Sequence, residues 1–307
     1  MEKFFKNKKN AIFISLIAML LWGSAIPLIK STYAVLDVAR DDTGMKILIA
    51  GMRFFLAGVI TTIYFKIFNK EKVDVKKINI KFIIILGFIQ TTVQYLFYYI
   101  GLSNTEGVKA AIIQASNAFF VVILSAVLIK SEKINKKIIL SLLLGTMGIL
   151  IVNYKPGSSF SFTVNGEMAI LIATICNAMG TVLVRKYGRE ENPFVLNATQ
   201  FIIGAIPLLI IGILTKKNPL ELNITAVLML LYGGFISATS FTLWTIVLKY
   251  HSSGEFGIYK LFIPIFGSLL SIIILGEKFT INLLIGLTLV LLGSFVLNSK
   301  KEIKLSK

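Results

Sequence analysis

Two stretches decide how this chain is read: LIKSEKINKKIILSLLLGTMGILIVN at 128–153 and ILGEKFTINLLIGLTLVLLGSFVLN at 274–298. In each, an apolar run ends at a Glu-Lys pair, and after a short turn a second apolar run follows, punctuated by glycine. They align at an offset of 145 residues, which sets Glu132 on Glu277, Lys133 on Lys278, Gly148 on Gly293 and Asn153 on Asn298. Similar offsets, up to 155, pair Arg53-Phe54 with Gln200-Phe201, Tyr98 with Trp244 and Lys30 with Arg185. The chain of 307 residues reads as one unit written twice.

The composition says what kind of unit this is. Apolar residues make up 56% of the chain and charged ones only 15%, with a mean hydropathy of +0.82. A soluble domain carries about 25% charged residues, and disorder requires low hydrophobicity. Both classes are excluded, which leaves a polytopic membrane protein. One span needs roughly 20 apolar residues. Apolar runs bounded by charge fall at 11–33, 46–66, 80–102, 106–129, 136–154, 166–187, 193–214, 224–248, 255–275 and 280–298. The expected fold class is therefore all-α, with ten transmembrane helices. The halves are 1–155 and 156–307, with five helices each. Five is odd, so the second unit starts on the opposite side of the membrane from the first. Two inverted five-helix repeats with a site near the midplane are a transporter architecture.

The net charge of +17 is explained by topology rather than by nucleic-acid binding, which needs a basic patch on one folded face. With the N-terminus inside, 22 of the 32 Lys and Arg residues fall in inner segments: Lys3–Lys9, Lys66–Lys81, Lys130–Lys137, Arg185–Arg189, Lys249 and Lys300–Lys307. Seven fall outside: Arg40, Lys46, Lys109, Lys155, Lys216, Lys217 and Lys278. This positive-inside bias places both termini in the cytoplasm of a multi-pass plasma-membrane protein. The first apolar run is longer than the roughly 7–15 residues of a signal-peptide core, so it is read as an uncleaved helix.

The same segments resemble the EamA-type transporters of the drug/metabolite transporter superfamily. LLWGSAIPLIK (20–30) is similar to that family's first-helix signature, RFFLAG (53–58) to its second and YYIGL (98–102) to its third. YKLFIPIFGSLLSIIILGEK (259–278) resembles its ninth helix. One departure is Phe119 in the first half where the second has Pro264. The resemblance implies export of amino acids or related small metabolites across the plasma membrane, by alternating access and without a cofactor. The chain's partners are then a small-molecule substrate and the lipid bilayer, and it acts as a monomer or homodimer.

Ionisable groups inside a span are costly and are functional candidates by default. Only Lys30, Arg53 and Lys260 qualify, and Lys30 is close enough to a helix end to snorkel to the headgroups. Arg53 is the leading candidate for a substrate carboxylate, through a bidentate contact, with Lys260 second. Gln90, Gln94 and Tyr98 recur every four residues and are expected on one helix face. Asn117, with Gln114 three residues before it, adds a polar position on helix four, and Trp22 and Trp244 are candidates to stack on substrate. Asn177, Thr181, Asn197, Gln200, Ser237 and Ser240 extend the polar set, although such residues also join helices. Glycines such as Gly148 and Gly293 are read as close-approach points between helices. Glu132 and Glu277 end their spans and are expected to cap or to pair with Lys133, Lys136 or Lys278.

No Asp or Glu falls near the middle of a span, which disfavours an exporter of lipophilic cations built on a buried carboxylate. An enzyme is disfavoured too. There is one histidine, His251, and one cysteine, Cys176, and neither HExxH, GxSxG nor a Walker sequence occurs. No metal site is expected. Two alternatives remain: an exporter of aromatic or amphipathic drug-like compounds, suggested by 23 Phe, 10 Tyr and 2 Trp, and a membrane receptor or structural protein without transport.

Overall fold

Helices begin where the sequence supplies a cap. In the computed structural model the side-chain oxygens of Asn7, Asn79, Asn192 and Asn223 each accept a first-turn backbone N–H at the start of an apolar run. Asparagine is among the strongest N-caps. The structure describes residues 2–68, 78–105, 110, 113–114, 116–152, 163–276 and 281–298. The expected boundary at 155/156, and Asn153, Glu277 and Lys278 of the repeat alignment, lie outside the described residues.

Helix α1 is Lys8–Val35, α2 Thr43–Phe68 and α3 Ile80–Asn104. After these come α4 at Asn117–Leu128, α5 at Lys136–Val152 and α6 at Val164–Tyr187. Next are α7 at Pro193–Thr215 and α8 at Ile224–Tyr250. Helix α9 runs through Ser253–Phe256, a 3₁₀ turn at Gly257–Leu261 and Phe262–Leu275, and α10 is Ile281–Asn298. No strand occurs among the described residues. Seven of these helices (α1, α2, α3, α6, α7, α8 and α9) are long and apolar enough to cross a membrane. The described parts of α4, α5 and α10 are apolar but shorter.

The surface is the reverse of a soluble protein's. Leu214 and Ile273 are each 77% exposed and Phe295 73%, while Gln90, Asn117, Asn197, Gln200 and Ser240 are buried. Apolar outside and polar inside is what a hydrocarbon solvent selects.

The packing repeats across the two halves. Helix α1 lies against α8 and α9, and α6 lies correspondingly against α3 and α4. Helix α2 meets α8 as α7 meets α3, while α2 packs on α7 and α5 on α10 along their lengths. A Cβ on Gly148 would come within 2.7 Å of the Gly286 carbonyl, so the α5–α10 contact needs a glycine there. Phe54 and Phe201, matched by the repeat, face each other with ring centroids 5.6 Å apart. The resulting apolar cluster also holds Ala57, Ala205 and Phe241.

Three helices depart from α-helical winding, and α6 does so at its start, where Val164–Met168 is π-helical. In α3, Gly87–Val93 is π-helical. In α9 the 3₁₀ turn precedes Pro264, which cannot donate the backbone bond that would continue an α-helix from Lys260.

Candidate functional site

A cavity of about 240 Å³ lies in the interior. Its wall takes Trp22, Ala25 and Ile29 from α1, Arg53 from α2, and Gln94, Tyr95, Tyr98 and Tyr99 from α3. Gln114 and Asn117 come from the fourth apolar run, Thr174 and Asn177 from α6, Ser237 and Phe241 from α8, and Lys260 and Pro264 from α9. Both halves of the chain contribute. Among the described lining residues none is acidic.

Arg53 is 7% exposed. Its guanidinium carbon lies 4.7 Å from the Phe54 ring centroid and 5.6 Å from that of Tyr95, both within cation–π range. Its Nε has no hydrogen-bond partner, and no described ion pair or hydrogen bond involves this residue. Gly233 makes room for its stem, because a Cβ there would sit 3.0 Å from Arg53 Cδ.

Lys260 is 8% exposed and differently held. The 3₁₀ turn carries its ammonium to Asn177 Oδ1 and Thr181 Oγ1, each at 2.7 Å. Its nitrogen lies 5.9 Å from the Trp22 ring and 5.6 Å from that of Trp244. Asn117 Nδ2 donates to the same Asn177 Oδ1 at 3.1 Å and to the Thr174 carbonyl at 3.0 Å. Two acceptors on the cavity-lining residues, Gln94 Oε1 and Asn117 Oδ1, have no donor among the described residues.

Of the residues singled out from sequence, Trp22, Arg53, Gln94, Tyr98, Asn117 and Lys260 meet at this cavity. Two do not line it. Gln90 packs into α6, where a Cβ on Gly180 would come 2.6 Å from its Cδ. The expected common face of Gln90, Gln94 and Tyr98 assumed α-helical winding. The π-helical turn bonds i to i+5 and rotates Gln90 away from the row. Trp244 stands behind the wall, its ring 6.1 Å from that of Trp22. Lys30 is exposed. Asn197 and Gln200 form a buried ladder, with Asn197 bonding Thr245 at 2.9 Å and Gln200 bonding Asn197 at 2.6 Å. Tyr95 and Tyr99 were missed, although the run QYLFYY (94–99) holds three tyrosines at helical spacing.

A second charged cluster closes one end of the bundle. Glu132 accepts from Arg185 Nε at 3.0 Å, Gly254 N at 3.0 Å, Ser253 N at 3.2 Å and Ser253 Oγ at 3.1 Å. It also accepts from the Ser125 hydroxyl. Arg185 Nη1 in turn donates to the Leu248 and Lys249 carbonyls at 2.9 and 3.1 Å. The expected local role of Glu132 is thus corrected: its partners are up to 122 residues away. Burial pushes the Glu132 carboxyl up, but the hydrogen bonds from Ser125, Gly254 and Arg185 outweigh it and hold the group below its ordinary range. The Lys8–Glu255 ion pair and the bond between His251 Nε2 and the Phe5 carbonyl lie at the same end. At the opposite end Asp42 ties the α1–α2 loop to the α7–α8 loop, accepting from Met45 N at 2.8 Å, Lys217 N at 3.0 Å and Asn218 N at 3.2 Å.

A lipid-facing helical bundle with a polar cavity shared between two repeating halves has the form of a membrane carrier. The profile of the EamA-like transporter family matches residues 9–154 and 164–299. The chain belongs to that family, and is a multi-pass membrane transporter of the drug/metabolite transporter superfamily. It is 26% identical over 258 residues to an uncharacterized transporter of Clostridium kluyveri, covering 80% of this chain and 81% of that one. It is 24% identical to the uncharacterized transporter YetK of Bacillus subtilis, over 96% of this chain and 89% of that one. It is also 24% identical to an S-adenosylmethionine/S-adenosylhomocysteine transporter of Chlamydia muridarum, over 92% and 90% of the two chains. One solved crystal structure shares the fold, with a TM-score of 0.81 at 18% identity, over 95% of this chain and 97% of that one. These names are those of transporters rather than enzymes.

Proposed function

We propose that this chain exports amino acids or related small metabolites across the plasma membrane by alternating access, with Arg53 holding the substrate carboxylate. One observation carries the reading: a cavity with two buried cations, Arg53 and Lys260, and no acidic side chain among the described lining residues. A buried guanidinium with no counter-charge among the described residues is a costly arrangement, and a carboxylate completes it with two parallel hydrogen bonds. Gln94 and Asn117 offer acceptors for an ammonium, and Tyr98 and Trp22 frame the apolar remainder. The Chlamydia relative is named for S-adenosylmethionine and S-adenosylhomocysteine, which carry the same α-amino acid group.

The architecture proposed is ten spans in two inverted five-helix repeats, 1–155 and 156–307, with both termini cytoplasmic. The repeated packing of α1–α4 and α6–α9 and the 22-to-7 distribution of basic residues support it. Alternating access then consists of opening one end of the bundle while the other stays shut. In that scheme Glu132–Arg185 fastens the inner end and Asp42 the outer.

A second reading, export of aromatic or amphipathic drug-like compounds, is favoured by the aromatic wall of Trp22, Tyr95, Tyr98 and Phe241. The cavity's 240 Å³ falls short of the roughly 300–1,000 Å³ of drug-sized sites, so the small-metabolite reading stands first. The test is flux into proteoliposomes loaded with single amino acids, organic anions or lipophilic cations. Amino acid flux that disappears in Arg53→Glu supports the proposal, and full flux in that variant overturns it.

A further inference from the structure

The two cations of the cavity ask for different things, and their difference narrows the substrate. Arg53, on α2, has no hydrogen bond to any described residue and an unpartnered Nε. Lys260, on α9, already donates to Asn177 and Thr181. Both of those acceptors are uncharged, so no counter-charge reaches the ammonium from them. The Trp22 and Trp244 rings beside it, at 5.9 and 5.6 Å, supply only the partial attraction of a cation–π contact. An ammonium has three donors, and two are spent on these side chains.

We infer that the substrate carries two acidic groups: an α-carboxylate that seats on Arg53 and a second acid that seats on Lys260, with the α-ammonium between them. The class is therefore an α-amino acid with an acidic side chain. This rests on the anion-cavity reading above. An amino acid with a neutral side chain answers Arg53 and leaves Lys260 without a counter-charge among the described residues. A simple dicarboxylate answers both cations but leaves Gln94 Oε1 and Asn117 Oδ1, buried and without donors among the described residues, unsatisfied. A molecule with two acids and one ammonium answers all four. A short chain suits the 240 Å³ cavity.

The experiment compares L-glutamate with L-glutamine, which differ by that one charge at nearly constant shape, by ligand-induced thermal shift and by counterflow in proteoliposomes. Wild type is expected to bind L-glutamate more tightly by at least about tenfold, the equivalent of one charge-assisted hydrogen bond. Lys260→Gln should bring the two affinities to within about twofold by weakening glutamate and leaving glutamine where it was. Lys260→Arg, which keeps the cation, should retain the preference, and Arg53→Gln should weaken both amino acids together. Equal or tighter binding of glutamine by wild type overturns the second acid while leaving the carboxylate at Arg53 standing. That comparison needs no variant to fold. Stabilisation by organic cations with neither amino acid bound overturns the anion reading itself.

Discussion

Arg185 on α6 meets Glu132 at 3.0 Å and gives two further hydrogen bonds to backbone carbonyls, whereas Arg53 on α2 makes no hydrogen bond to any described residue. Both belong to helices of spanning length. The first is answered by its own chain at the end of the bundle. The second has no counter-charge among the described residues, only the Phe54 and Tyr95 rings, and lies beside a cavity. A paired buried charge holds structure together and is severely missed when broken. An unpaired one costs stability in the resting protein and gains it back when a ligand of opposite charge arrives. Burial alone therefore does not distinguish a structural cation from a functional one, and partnering does.

The largest effect that would break this comparison is expected at the paired site. Arg185→Gln leaves Glu132 buried without its cation, and such a cut typically costs about 3–5 kcal/mol. Unfolding of purified protein in detergent should show it, with ligand binding preserved in the folded fraction. Arg53→Gln should do the opposite. Substrate affinity should fall by roughly 30-fold or more, the lower bound of about 2 kcal/mol for truncating a desolvated charge pair, while the melting temperature holds or rises. A large loss of stability in Arg53→Gln would place Arg53 with Arg185 and erase the distinction.

At the opposite end, Asp42→Ala removes the acceptor for Met45, Lys217 and Asn218. The loss is expected at about 1–2 kcal/mol, the upper range for a helix cap, measured by the same unfolding series. Acid offers a sharper probe of Glu132. Its folded-state carboxyl titrates below the ordinary value of 4.5, so its contribution is complete above that pH and is lost as pH falls through the lower folded-state value. Wild type should therefore lose stability across that window, and Glu132→Gln should lose less. The smallest effect belongs to the exposed Lys8–Glu255 pair, with side chains 49% and 31% exposed. Lys8→Ala should change stability by no more than about 1 kcal/mol, and less at high salt.

Much of this was legible before any coordinates. The apolar runs at 193–214 and 224–248 match α7 and α8 to within two residues at either end, because run length and an asparagine cap are local signals. Arg53 and Lys260 stood out because a charge in an apolar run has no local explanation. Gln90 falls outside the cavity lining because period-four reasoning presumes α-helical winding, whereas the turn before Gln94 is π-helical and packs against α6 and α7. Glu132 was given local partners because Arg185, 53 residues on, is brought beside it only when α4 packs on α6.

Sequence alone determined the class of molecule, its duplication, and which few charges are out of place in hydrocarbon, since hydropathy, period and charge are written residue by residue. Tertiary structure decided which of those charges are answered. Whether Arg185 finds a carboxylate and Arg53 finds none among the described residues depends on contacts between helices far apart in the chain, and no local pattern carries that distance.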